Sequence, residues 1–176
     1  MTTILLSIAG LSERTTLAKS HEKEPQRMAE ELDVEIVSYD PRMAEDLAAM
    51  YNTWDDLWIG GFTQGVPFDA QRVRDNYDKM SAIDILIAVK KGDRKPVGSC
   101  TLHKHWRDSD AAYVGVLGVS PEALGKKVGK KLLLRAIEIV RSKGYERVDL
   151  NTWAGNMRAV PLYKKVGLMW NPEGEG

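Results

Sequence analysis

Val128, Leu132, Leu133, Ala136, Ile137 and Val140 recur at helical intervals between Lys127 and Gly144, with strand-like stretches on both sides, AAYVGVLGV before and RVDLNTW after. A strand, a long amphipathic helix and a second strand pack with short connections in essentially one way. The helix crosses the sheet in the right-handed sense and the two strands lie parallel. This unit therefore predicts a parallel pair at Tyr113 to Val119 and Arg147 to Trp153, with a helix near Lys127 to Lys143 ended by Gly144.

The flanks extend the sheet. IDILIAVKK, KPVGSCTLHKHW and AAYVGVLGV are separated by polar turns at Gly92–Asp93 and Arg107–Asp110, the pattern of an antiparallel meander. Upstream, VEIVSY alternates as a strand does. DPRMAEDLAAMYNTWDDLW then spaces Met43, Leu47, Met50, Tyr51, Trp54 and Trp58 as one helix behind the capping candidate Asp40. The glycine-rich IGGFTQGVPF is a loop, and Asp69 caps a second helix through about Met80. Downstream, NMRAVPLYKKV reads as a helix capped by Asn156 and stopped by Gly167, and LMW as a last short strand. Glu22 to Leu32 reads as a short polar helix or tether. The fold class is thus α/β (α+β): a mixed, mostly antiparallel sheet with helices on both faces.

At 176 residues, 43% hydrophobic and 28% charged, the chain fits one globular domain at 34–176 with an N-terminal extension at 1–33. Its net charge of zero gives no support to polyanion binding, so no nucleic-acid partner is expected and any anion site must be local. The single Cys100 cannot form an internal disulfide and has no CxxC neighbourhood, so neither a disulfide framework nor a metal is expected. MTTILLSIAG lacks a basic start and is too short to span a bilayer, so the expectation is a cytoplasmic protein without a membrane partner.

One local anion site stands out. In ALGKKVGKKLL, Lys126, Lys127, Lys130 and Lys131 flank glycines at a helix start, where backbone amides have no intrahelical partner and the helix dipole is positive. A solvated basic face is the bland alternative. A P-loop does not fit, because GKKVGKK has neither four intervening residues nor Ser/Thr after the lysine.

The element order, together with VLGVSPEALGKKVGKKLL and NMRAVPLYKKVGL, resembles the GCN5-related N-acetyltransferase (GNAT) superfamily over roughly Val34 to Trp170. The first stretch looks like the family's fourth strand and acetyl-CoA pyrophosphate loop, and the second like its Asn, Ala, Leu-Tyr, Gly-Phe block. Three departures are visible. Leu124 stands at the Arg/Gln position of the loop, Lys127 at its middle glycine and Leu168 at the usual phenylalanine. An amide cradle survives at Lys127 if the backbone there does not require a positive φ, which a lysine resists. The chain also stops after the last short strand, where the family adds another. The expectation is that Thr3 to Ala9 supplies it, within its own chain or from a partner chain, which would make a homodimer.

The resemblance implies acetyl-CoA (coenzyme A) as co-substrate, no metal, and direct transfer to a primary amine of a small molecule or protein. The fourth and fifth family strands should splay, with Leu117, Gly118 and Val119 pairing the pantetheine arm. The amides of Lys126, Lys127, Val128, Gly129, Lys130 and Lys131 should hold the pyrophosphate, two of the lysines touching phosphate, and Asn156 should contact the same ligand. Gly115 and Gly118 suit a bulge or a close ligand approach.

The resemblance makes Tyr163 the general acid; a phenol near a pKa of about 10 can protonate a departing thiolate. For the base, His105 and Glu122 are the leading candidates, beside His103, Tyr113, Asp55 and Asp56. The aromatic-lined GGFTQG loop resembles the family's roof over the acceptor. The competing reading from another class is a catalytically weak CoA-binding regulatory or interaction module of the same fold.

Overall fold

The computed structural model describes residues 2–12 and 31–172. The helix or tether expected at Glu22 to Leu32 lies almost wholly outside these residues. The seven strands are β1 (Thr3–Ile8), β2 (Val34–Ser38), β3 (Asp84–Lys90), β4 (Pro96–Lys104), β5 (Ala111–Val119), β6 (Arg147–Trp153) and β7 (Met169–Trp170). The helices are α1 (Ala44–Tyr51), α2 (Ala70–Tyr77), α3 (Val128–Ser142) and α4 (Val160–Lys165).

The strands form one sheet in the order β2-β3-β4-β5-β6-β1-β7, antiparallel throughout except for the β5–β6 pair joined by α3. Each sheet face carries its own core. The α3 stripe of Val128, Leu132, Leu133, Ala136, Ile137 and Val140 packs on Leu86, Val97, Cys100, Leu102, Val148 and Leu150. Leu47, Met50, Tyr51 and Trp54 cover Ile85, Ile87 and Val89 on the other face.

The N-terminal strand fills the position between β6 and β7, pairing Thr3 with Trp153 through Ile8 with Val148, and Leu6 with Trp170. It is supplied by the same chain. Its Leu5, Leu6 and Ile8, with Leu11 just beyond, are at most 7% exposed, each such burial contributing about 1.5–3 kcal/mol. Ser7, on the face opposite Leu6 and Ile8, donates to the fully buried Asp149 carboxylate, which also accepts Arg147 Nε at 2.9 Å. A buried carboxylate is tolerated because donors surround it.

The expected long first helix is interrupted. Asp40 caps a single 3₁₀ turn, Pro41–Met43, by accepting the Arg42 amide at 2.8 Å, and α1 ends at Tyr51. Thr53 Oγ1 donates to the Met50 carbonyl at 2.7 Å, a side-chain bond that competes with helix continuation. Asp69 caps α2 as its sequence indicates, accepting the Arg72 amide at 2.7 Å.

Candidate active site

The β5–β6 ladder stops early. It runs from Ala111–Arg147 to Val114–Leu150, while β4 stays paired with β5 as far as Val119. Beyond Val114 the β6-facing edge of β5 has no strand partner among the described residues. The divergence coincides with a bulge: Cys100 pairs with Leu117 and Leu102 with Val114, so Gly115 and Val116 together oppose Thr101. Thr101 Oγ1 accepts the displaced Val116 amide at 2.9 Å.

A cleft of about 810 Å³ occupies the gap, within the usual range for ligand sites. Gly115, Leu117, Gly118 and Val119 line one side, and Asn151, Thr152, Trp153, Asn156, Arg158 and Tyr163 another. Tyr163, on α4, is 6% exposed, and burial pushes its phenol up to about 12, with Cys100 adding in the same direction. A phenol so placed is fully protonated at neutral pH and can act as a donor, not as a base. Asn156 ties the turn before α4 to β6, donating to Thr152 Oγ1 at 3.0 Å while its Oδ1 accepts the Ala159 amide at 3.2 Å.

At the other end, Leu124 and Gly129 line the cleft beside the start of α3. Gly125 and Lys127 both take positive φ, 72° and 64°, so the backbone does require the left-handed conformation that a lysine resists. Turned this way, the loop presents the unpaired first amides of α3. Val128 contributes only backbone, since its side chain is buried in the core. The lysine side chains are absent from the cleft wall. Lys131 is bound to Glu31 at 2.8 Å and to the Leu32 carbonyl at 3.4 Å, which takes it out of any phosphate contact in this arrangement.

A model of the "Acetyltransferase (GNAT) family" matches residues 47–168. The chain belongs to that family. It is 30% identical over 140 residues to the mycothiol acetyltransferase of Actinosynnema mirum, an alignment covering 76% of this chain and 44% of that relative. The chain thus spans less than half the length of that curated relative. Among solved structures it resembles a V. cholerae integron cassette protein (TM-score 0.66, 22% identity, 82% of this chain and 91% of that one). It also resembles a GNAT-family acetyltransferase from Streptococcus pneumoniae (TM-score 0.63, 20% identity, 77% and 83%). Both likenesses are of fold.

Within this GNAT domain the expected site residues separate. Leu117, Gly118, Val119, Gly129, Asn156 and Tyr163 meet in one cleft. Glu122 does not join them; it lies in another depression, 3.5 Å from Lys90. His105 is also outside the cleft wall. Its Nδ1 accepts the Arg107 amide at 3.2 Å and its Nε2 faces Asp149 Oδ2 at 3.7 Å.

Asp55 binds the Thr63 amide and hydroxyl at 2.6 and 2.7 Å, bonds that hold its carboxyl below the usual range. The GGFTQG loop is therefore pinned, not slack. Gly118 is explained by packing: a Cβ there would lie 2.6 Å from Trp54 Cζ3.

Reading the sequence did not single out Arg158, Asn151 or Trp153, all of which line the cleft. The signal was present for two of them, because Asn151 and Trp153 share strand parity and both emerge exposed past Leu150.

Proposed function

We propose that this GNAT protein transfers the acetyl group of acetyl-CoA directly to a primary amine. The observation that carries the reading is the parting of β5 from β6 after Val114–Leu150, with Tyr163 set in the resulting cleft. The free edge at Leu117, Gly118 and Val119 suits the amides of a pantetheine arm. The amides at the start of α3, from Val128 to Lys130, suit a diphosphate, with Lys126, Lys127 and Lys130 adding positive charge around them. Asn156 and Arg158 close the same wall. Tyr163 gives its proton to the departing thiolate.

Transfer is direct because the chain's single thiol is unsuited to carry an acetyl group. Cys100 is wholly buried and burial pushes it up to about 12, whereas a nucleophilic cysteine needs a thiolate. The acceptor enters between Trp58 and Ile59 on one rim and Trp153 and Met157 on the other, with Asp56 offering a carboxylate to an incoming ammonium. Acetyl transfer fits a relative named mycothiol acetyltransferase, and the acceptor's body is chosen by this apolar rim.

The test couples calorimetry of CoA binding with thiol release from acetyl-CoA across a panel of aliphatic, aromatic and amino-sugar amines. Amine-dependent thiol release is the expected result. Tight CoA binding with no release from any amine would make the protein a CoA-binding module instead, the reading favoured by the strained loop at Lys127 and by Lys131 facing Glu31.

A further inference from the structure

We infer that His103 is the base that receives the acceptor amine's proton, an assignment that rests on the acetyl-transfer reading above. An alkylammonium, with a pKa near about 10.4, must lose a proton before it can attack. Three of the other candidates have their acceptor atoms engaged elsewhere. Asp55 turns its carboxylate into its own loop, onto Thr63. Glu122 meets Lys90 in a separate depression. His105 accepts a backbone amide on Nδ1, which puts the ring proton on Nε2 facing Asp149 and leaves no lone pair for a substrate. Asp56 stands on the exposed rim of the α1–α2 loop.

His103 is placed differently. Its Nε2 lies 3.1 Å from Thr101 Oγ1 and 2.9 Å from the point that a Cβ on Gly115 would occupy. Gly115 is the first β5 residue past the last β5–β6 pair, and it lines the cleft that contains Tyr163. The missing side chain at 115 is therefore what lets an imidazole pack directly behind the cleft wall, against Gly115, at the place where the strands part.

Thr101 suits the role as well. Its hydroxyl has two lone pairs, one taken by the Val116 amide at 2.9 Å, and one hydrogen. The hydroxyl's second lone pair can accept Nε2–H, the tautomer that leaves the Nδ1 lone pair to take the amine's proton. Thr101 and Tyr113, the two side chains set against His103, are uncharged at neutral pH. Thr101 lies beside it on β4, Tyr113 is its cross-strand partner on β5, and burial alone lowers its pKa, with no charged side chain contributing. The ring is thus neutral and ready to accept.

In the step so assigned, the ammonium proton passes to His103 and the freed nitrogen lone pair forms a bond to the thioester carbonyl carbon. The C–S bond then breaks, the thiolate takes the Tyr163 proton, and the phenolate recovers a proton from the nitrogen. His103 returns its proton to water. The products are the amide, the free thiol and one proton.

The test compares wild type, His103→Gln and His103→Ala for amine-dependent thiol release over pH 5–9, with CoA calorimetry and thermal unfolding as controls. At pH 7, kcat/KM for the amine should fall about 10²-fold in both variants. The acidic limb of the wild-type pH profile should vanish, added imidazole should restore rate to His103→Ala, and CoA affinity should hold. Variants that keep the wild-type rate or its acidic limb would overturn the assignment while leaving acetyl transfer intact. A wild-type protein inert toward every amine in the panel would remove both.

Discussion

Gly118 and Trp54 occupy one space: the Cβ that any other residue would place at 118 falls 2.6 Å from Trp54 Cζ3 and 2.8 Å from its Cη2. The indole is wholly buried, and its Nε1 donates to Ser120 Oγ at 3.4 Å. Gly118→Ala must therefore push a fixed ring or bend β5. Overpacking of this kind costs about 1–3 kcal/mol, and denaturant unfolding should register it. Because Gly118 also lines the cleft, CoA affinity should fall with stability.

Lys127 at φ 64° makes a second, separable prediction. A non-glycine residue in the left-handed region costs about 1–2 kcal/mol. Lys127→Gly should be more stable than Lys127→Ala by about 1 kcal/mol, since both remove the charge and only one relieves the backbone. Equal stabilities in chemical denaturation would show that the loop carries no such strain.

The α3 crossover, the meander and the Asp69 cap were legible in the sequence because they follow from hydrophobic period and local capping chemistry. So was the meeting of Tyr163 with the Leu117–Val119 edge, through a motif resemblance. The positive φ at Lys127, the engagement of Lys131 by Glu31 and the enclosure of Asp55 by Thr63 were not. Each depends on where a loop turns or on a contact distant in sequence. Gly118 marks the same boundary. Its lack of a side chain is visible in the sequence, while the reason, a tryptophan from the opposite layer, is visible only in the packing.

β1 should behave as an integral strand. Leu6 is 1% exposed and pairs with both Leu150 and Trp170. Leu6→Ala should destabilise the domain by about 2–5 kcal/mol, and hydrogen exchange should show β7 losing protection along with β1.

Buried and half-buried phenols make stability fall at alkaline pH. Tyr163 and Tyr39 are pushed up to about 12 from an ordinary 10.0, chiefly by burial, and Tyr51 and Tyr77 are raised for the same first reason. Above pH 10 the unfolded chain releases phenolic protons that the folded chain retains, so folding stability falls as pH rises. That contribution is intact below pH 10 and is lost progressively between 10 and about 12. Urea unfolding as a function of pH, with Tyr163→Phe as comparator, should show a shallower alkaline decline in the variant.

The most direct test of the cleft as an acetyl-transfer site is the effect of Tyr163→Phe on turnover and on ligand binding, measured on the same preparation. The account predicts a fall in kcat of about 10²-fold or more, with CoA affinity nearly unchanged. Wild-type turnover in the phenylalanine variant, or loss of CoA binding without a change in kcat, would contradict it.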